Sequence, residues 1–396
     1  MRANRATRPA SALPLTVSLL VLFFSYWCVD IVTPTLPTIT EALNLSATGA
    51  GLVFSVFFGG RLLTNLPAAW LVDRRGPRLT AGIGAAILLA GSVLAALAQS
   101  EVTLLPARGV QGAGVALLAT AGLLSVLRAL PAGGAAMTAF NVASGVGGSV
   151  GLLLGGFLTS NVGWRAVFWI SAAAAGVLLV LALGSRTQRG QARVPAAETE
   201  DEIPRRATSA MWAAVAANFL VFVNYATWVV TIPLYAASRF GLGATEVALV
   251  LLFVNLVHLG AAVPFGQAIR RFGAPAALAV GLGLAGAGML LAPLATTPVM
   301  FAAPLGLYAI GQLAGNSAAG DLVLRLGGGG GRAVGAVRLS SDVGMVIGPA
   351  AAGALADAAG AGTSFTALGL LSLVGMVIAL LARQQQRAAR RRQQPR

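Results

Sequence analysis

Lysine is missing altogether: all 27 basic residues of this 396-residue chain are arginine. A nucleotide-driven pump needs a G-x-x-x-x-G-K-[ST] phosphate loop, which a chain without lysine cannot form. Cysteine is nearly missing. Cys28 stands alone, which excludes an internal disulfide framework and fits no metal-site spacing. His258 is the only histidine and no H-E-x-x-H occurs; the one G-x-S-x-G match, Gly147–Gly151, lies inside an apolar run rather than at a strand-to-helix turn. A membrane-embedded hydrolase would need a nucleophile–base pair or metal ligands, and nothing here builds either. The chain is therefore expected not to be an enzyme and to need no metal or other cofactor.

Charge is scarce as well. Only 10% of the residues are charged and 57% are hydrophobic, with a mean hydropathy of +0.82. Soluble domains carry about 25% charged residues, so this is the composition of a membrane protein. The net charge of +15 raises the question of nucleic acid. Its distribution answers it, because the arginines fall in short segments between apolar runs.

Crossing the hydrocarbon core takes about 20 apolar residues, and the sequence supplies twelve such stretches. The first six spans run roughly over 12–36, 47–72, 79–99, 103–127, 135–159 and 165–185. The second six run roughly over 210–236, 244–268, 276–296, 299–325, 334–358 and 363–383. Residues 1–10 carry three arginines before the first apolar run, as secretory signals do. That run has no A-x-A-like site and continues through Asp30 to Pro37, so it reads as a retained first span. Positive loops stay in the cytoplasm. With the N-terminus inside, 22 of the 27 arginines lie on the inner side, and both termini are expected to be cytoplasmic. Residues 186–209 form the one long polar connection, read as a flexible cytoplasmic linker. Residues 384–396 are a basic tail suited to orientation and to anionic lipid.

The two sets of six spans are repeats. Pro67 and Pro264, Arg74 and Arg271, Gly76 and Gly273, Gly147 and Gly344, and Gly151 and Gly348 are each 197 residues apart. Paired six-span halves are a transporter architecture, with the binding site near the midplane between repeats.

Three motifs sit on this frame. Between spans 2 and 3 the segment Ala69–Arg78 reads A-W-L-V-D-R-R-G-P-R, taken as a six-residue loop from Asp73 to Arg78, and a weaker copy occurs at Gly266–Pro275. Span 4 carries R-G-V-Q-G-A-G from Arg108 to Gly114. Span 5 carries G-V-G-G-S-V-G-L-L-L-G-G, containing Gly147, Gly151, Gly155 and Gly156, just before W-R-A-V-F-W-I at Trp164–Ile170. Span 11 answers with G-M-V-I-G-P-A-A-A-G, containing Gly344, Gly348 and Pro349. Together these resemble the major facilitator superfamily, in particular its twelve-helix drug:proton antiporter branch. They match G-x-x-x-D-R-x-G-R-R through Asp73, Arg74, Gly76 and Arg78; R-x-x-Q-G-x-G; and G-x-x-x-G-P-x-x-G-G, where Leu152 replaces the proline. The resemblance implies an all-α integral membrane fold: twelve transmembrane helices in two pseudo-symmetric six-helix halves, residues 1–185 and 210–383.

It also implies roles. Asp73 is expected to latch the halves by meeting the N-terminal end of span 11, where free N–H groups favour an anion. The alternative is that the loop only fixes topology. Arg108 lies inside a span, where an arginine must face a cavity or a partner. It is either the proton-coupling partner of Asp30 or a structural pair that holds span 4 to span 1. Tyr26, Trp27, Arg61, Asn224, Tyr225 and Trp228 are expected substrate-cavity residues, since aromatic walls with a few polar groups suit an amphipathic organic molecule. Asp321 and Arg338 are expected to pair near the inner third, with Asp342 one turn beyond Arg338. His258 stands at the repeat position of Arg61 and is read as a packed, neutral residue rather than a pH sensor. The glycines allow close helix approach.

The expected function is a secondary transporter that exports small drug-like molecules against protons by alternating access. A sugar or metabolite exporter, a solute importer, and a transporter-like receptor are the alternatives. Expected partners are a small-molecule substrate, protons and the lipid bilayer, with the protein a monomer in the bacterial inner membrane and no nucleic acid bound.

Overall fold

The computed structural model describes residues 11–130, 135–185, 188–189, 208–327 and 331–393. The basic start at 1–10, most of the 186–209 linker and the final residues of the tail lie outside the described residues. The described chain is helical apart from one two-residue ladder, in which β1 (Ser11–Ala12) pairs antiparallel with β2 (Gln188–Arg189).

The helices are α1 (Leu15–Asp30), α2 (Leu36–Ala42), α3 (Ala47–Arg75), α4 (Pro77–Ala96), α5 (Glu101–Ala129), α6 (Ala135–Asn161), α7 (Arg165–Gly184), α8 (Thr208–Val223), α9 (Ile232–Phe240), α10 (Ala244–Gly260), α11 (Ala262–Phe272), α12 (Ala274–Leu291), α13 (Pro298–Leu326), α14 (Gly331–Ala359) and α15 (Ala361–Gln393). Ten helical stretches are long and apolar enough to cross a bilayer. The bent pair α10–α11 makes an eleventh, and α1, shorter at 16 residues, stands at the first expected span. Each of the twelve expected spans thus has its helix. Many large apolar side chains are exposed, Leu66 at 83%, Val102 at 80% and Val180 at 70% among them, as a hydrocarbon solvent requires.

Four details depart from the sequence reading. Span 1 ends early, at Asp30, because Pro34 has no N–H to give the Asp30 carbonyl. The segment read as a loop at 73–78 is almost entirely helix. Asp73, Arg74 and Arg75 form the last turn of α3, and α4 begins at Pro77. Only Gly76 lies between them, at φ 83°, a conformation that glycine adopts without steric penalty. Its repeat mate Gly273 does the same between α11 and α12, also at φ 83°. Span 7 is interrupted by a π turn, Thr227–Thr231, placed just ahead of Pro233. Span 8 bends by 40° between α10 and α11.

By contact the chain divides into two units: residues 1–31, 60–151 and 165–196, and residues 32–59, 152–164 and 197–396. In the first, α4 lies against α5 and α7. Gly84, Gly91 and Gly114 make the α4–α5 approach possible, since a Cβ on Gly91 would sit 2.7 Å from the Gln111 nitrogen. In the second, α12 lies against α13 and α15, and α8 against α14. There Leu278, Leu282, Leu322, Val323 and Ala217 form a fully buried core. Gly281, Gly288 and Gly311 repeat the close approach on the same 197-residue offset, and a Cβ on Gly288 would sit 2.6 Å from the Tyr308 nitrogen.

Candidate functional site

The first unit holds a buried polar cluster. Arg108, one residue past the second turn of α5, is fully buried, and its Nη1 donates to Gln111 Oε1 at 2.7 Å. Gln111 Nε2 donates in turn to Ser92 Oγ on α4 at 2.8 Å. This chain explains why Gly91 is glycine: a larger residue would push α4 off the turn that carries Gln111. Cys28 on α1 is also buried. Two turns after Phe23, Asp30 closes α1 half-buried. Its carboxylate lies over Gly148 of α6, where a Cβ would come within 2.5 Å of Oδ2. Trp27 is 7% exposed, stacks on Phe24 at 4.8 Å, and its indole N–H has no hydrogen-bond acceptor among the described residues. Tyr26 points the other way, edge-on to Phe140 at 5.7 Å. Sequence reasoning singled out Asp30 and Arg108 but passed over Gln111 and Ser92, although Gln111 is part of the quoted R-x-x-Q motif.

The second unit holds a neutral counterpart around the π turn. Asn224 is fully buried and donates from Nδ2 to Ser372 Oγ at 2.6 Å, while its Oδ1 has no partner among the described residues. Its backbone carbonyl accepts from Tyr308 Oη at 3.1 Å, and the Val221 carbonyl accepts from Gln312 Nε2 at 2.8 Å. These outside donors serve carbonyls in the stretch leading into the π turn. Tyr225 is edge-on to Phe58 at 5.8 Å, and Trp228 is buried within the turn. Arg61 is half-buried on α3, and so is its repeat mate His258 on α10. A neighbouring knot was missed by sequence: buried Asn218 reaches Ser340 Oγ at 2.8 Å and Ser341 Oγ at 2.9 Å on α14.

The expected gate residues are dispersed. Asp73 is exposed at the end of α3, and no hydrogen bond or ion pair of its side chain is found among the described residues. Arg74 lies over the Trp70 ring at 4.7 Å. Arg78 donates from Nε to the Ala182 carbonyl at 3.1 Å and from Nη2 to the Leu183 carbonyl, so it closes the C-terminal end of α7, where carbonyls lack helical donors. The expected pair Asp321–Arg338 is replaced by Asp321–Arg325 at 2.7 Å, because the i,i+4 spacing on α13 puts those two side by side. Arg338 is exposed and Asp342 is buried.

The glycines act as helix seats. A Cβ on Gly147 would fall 2.9 Å from the Phe23 carbonyl carbon, and one on Gly151 would fall 2.9 Å from Trp27 Cδ1, so α6 rides on α1. Gly344 and Gly348 seat α14 on α8 at Phe222 and Val223. Gly155 is buried. Gly156 and Pro349 lie at two further seams in the second unit. There a Cβ on Gly156 would meet the Ala244 carbonyl oxygen of α10 at 2.8 Å, and one on Gly51 of α3 would meet the Pro349 carbonyl carbon at 2.8 Å. Ser55 of α3 accepts from the Ala350 N–H at 3.0 Å, and a Cβ on Gly353 would meet Thr48 Cα at 2.9 Å.

Several known proteins share stretches of this sequence. The transporter EfpA of Mycobacterium tuberculosis is 35% identical over 153 residues, 37% of this chain and 28% of that protein. The multidrug resistance protein Stp of the same species is 30% identical over 174 residues, 43% of this chain and 32% of that protein. The chain thus matches about a third of these relatives' own length. The cephamycin export protein CmcT of Amycolatopsis lactamdurans is 28% identical over 211 residues, 51% of this chain and 42% of that protein. The fold itself matches a solved bacterial homolog of the human lysosomal transporter Spinster, with a TM-score of 0.78 at 19% identity, over 93% of this chain and 96% of that one. It also matches a peptide-bound POT family transporter, with a TM-score of 0.76 at 15% identity, over 94% and 96%. The sequence model of the Major Facilitator Superfamily fits twice, over residues 18–328 and 215–396. With twelve spans, paired glycine turns at Gly76 and Gly273, and a family match running from α1 into α15, this chain belongs to the Major Facilitator Superfamily.

Proposed function

We propose that the protein exports small amphipathic organic molecules in exchange for protons, by alternating access between two six-helix halves joined by the 186–209 linker. The observation that carries this reading is the Arg108–Gln111–Ser92 chain with Asp30 on the neighbouring element of the same unit. A fully buried guanidinium is costly unless paired or hydrogen-bonded, and in a membrane span such a group marks a transport pathway. Asp30 is the carboxylate that takes up and releases the proton, and Arg108 is its switchable partner. Trp27, with an unused indole N–H, and Asn224, with an unused amide oxygen, are substrate contacts, each buried beside aromatic rings. Tyr26, Arg61, Tyr225 and Trp228 complete those contacts. The names of the relatives, multidrug resistance for one and cephamycin export for another, support the direction and the substrate class. Asp73 is the latch for the state in which it meets the start of α14. Both termini face the cytoplasm of a bacterial inner membrane, and the protein acts as a monomer.

The test is proton movement in proteoliposomes holding an imposed pH gradient, screened with lipophilic cations and neutral drugs. A substrate should dissipate the gradient in the wild type. Asp30→Asn should abolish that dissipation while downhill counterflow of the same substrate persists. An Asp30→Asn protein that still moves protons with substrate would leave Asp30 a structural residue and direct the search to Asp342 or Asp321. Uptake driven in the inward direction would turn the reading to a solute importer.

A further inference from the structure

The second unit contains a carboxylate contact outside the family motifs quoted above. Asp357, in the last turn of α14, binds the start of α3. Its Oδ1 accepts the Ala47 N–H at 2.7 Å; its Oδ2 accepts the Thr48 N–H at 2.8 Å and the Thr48 hydroxyl at 2.6 Å. The next N–H, that of Gly49, goes to Ser46 Oγ at 3.0 Å. The first N–H groups of a helix have no acceptor within the helix. Here the first two are taken by an anion from another helix, where the α3 dipole favours negative charge. Close backbone contact surrounds it, at Gly51 on Pro349 and at Gly353 on Thr48.

The repeat supplies an internal control. Moving each residue by 197 positions turns Asp357 into Ser160, Ala47 into Ala244, Thr48 into Thr245 and Gly353 into Gly156. The matching contact exists between α6 and α10: Thr245 donates from its N–H to Ser160 Oγ at 3.3 Å and from its hydroxyl at 2.9 Å. A Cβ on Gly156 would again meet Thr245 Cα, at 3.0 Å. The two seams are built alike, but among the described residues only the α3–α14 seam is crossed by a carboxylate; at the start of α10, Glu246 binds the Gly243 N–H of its own helix end. At the other end of α3, Asp73 has Arg270 at its repeat position. Both helix-end carboxylates of this kind therefore belong to one helix pair, Asp357 at the end of α14 and Asp73 at the end of α3.

We infer that Asp357 is a second latch, opposed to Asp73. Each carboxylate closes one end of the α3–α14 pair by capping the partner helix, and the two engage in alternate transport states. In the structure Asp357 is engaged and Asp73 is exposed without a described partner. The α6–α10 seam, crossed by Ser160 in place of a carboxylate, serves as the hydroxyl-linked side of the same closure. This inference rests on the alternating-access reading proposed above.

Amide hydrogen exchange on the full chain in lipid nanodiscs tests it without any substrate. Asp357→Asn should speed exchange at Ala47 and Thr48 about tenfold, the loss of charge-assisted bonds to an exposed site. Thr48→Val, which removes one of three donors and keeps the shape, should speed the Ala47 amide by about threefold. Ser160→Ala should change only Thr245, by a similar small factor. If the latches alternate, Asp73→Asn should slow exchange at Ala47 and Thr48 by about threefold, because the state opposed to Asp357 is weakened. Unchanged exchange in Asp357→Asn would overturn the latch. Unchanged or faster exchange in Asp73→Asn would overturn the alternation. Failure of proton-coupled export would instead appear as absent proton movement in the wild type, with these exchange shifts still present.

Discussion

Arg108, Gln111 and Ser92 make a charged hydrogen-bonded chain between α5 and α4. Exactly the offset that relates the repeats, 197 residues on, puts Leu305, Tyr308 and Met289 at those places on α13 and α12. Asp30 becomes Thr227, whose hydroxyl turns to Met289 Sδ at 3.1 Å, and Cys28 becomes Tyr225. The backbone beneath these changes is the same. A Cβ on Gly114 would meet the Gly84 carbonyl oxygen at 2.8 Å, and one on Gly311 would meet the Gly281 carbonyl oxygen at 2.5 Å. Helix approach is thus fixed by glycines that both repeats share, while the chemistry hung on it has separated. One repeat keeps a buried cation and its network; the other keeps a neutral, largely apolar core with a π turn beside it.

The strongest way to break the comparison attacks what the repeats share. Gly114→Leu and Gly311→Leu each place side-chain atoms against backbone that has no flexible end to give way. Overpacking a core typically costs about 1–3 kcal/mol and sometimes more, and contact with backbone puts these at the upper end. Both variants should lose most of their folded yield, measured as the monodisperse fraction in size-exclusion chromatography. A wild-type yield from either one would mean that its helix pair has slack the geometry does not show.

The next substitution attacks what the repeats do not share. Arg108→Leu gives the first repeat the residue of the second. A buried ionic group replaced by a hydrophobe of similar volume is often neutral for stability or better. The Gln111 oxygen would lose its donor, at about 1–3 kcal/mol. The thermal midpoint should therefore move little, while substrate-driven proton movement disappears. If Arg108→Leu keeps that movement, the charge serves packing alone.

Much of this was legible in the sequence. Twelve apolar runs, the 197-residue offset and the glycine motifs carry the fold, because length and small-residue spacing are local signals. Arg108 was legible for a similar reason, since a charge inside an apolar run stands out against it. What was missed depends on partners distant in sequence. Nothing near Asp357 says that its carboxylate caps a helix some 310 residues away. Arg78 looked like part of a loop until α7 was seen ending on it. Asp321 was assigned to Arg338 by depth alone, and the closer i,i+4 partner Arg325 was overlooked. The 73–78 segment read as a loop because charge was equated with absence of helix, yet a single glycine makes the turn.

The smallest effect gives the finest measure of how far the two cores have diverged energetically. Gln111 and Tyr308 occupy equivalent places and each reaches across to another element. Tyr308→Phe removes one hydrogen bond to the Asn224 carbonyl, which keeps the Thr227 N–H at 3.0 Å. No group is stranded, so the loss should be near the low end for a buried bond, about 0.5–1.5 kcal/mol, and closer to the membrane average of about 0.6 kcal/mol. Gln111→Leu takes an acceptor from a fully buried guanidinium and a donor from Ser92 together. Stripping partners from buried groups carries their desolvation penalty, about 1–3 kcal/mol and more when one is charged. The drop in thermal midpoint for Gln111→Leu should therefore be at least twice that for Tyr308→Phe in the same detergent. Adding Arg108→Leu to Gln111→Leu should recover part of it, because the stranded charge is gone. Equal drops for the two single variants, or no recovery in the double, would show that Arg108 does not depend on Gln111, and the polar chain would then be a row of contacts rather than a unit.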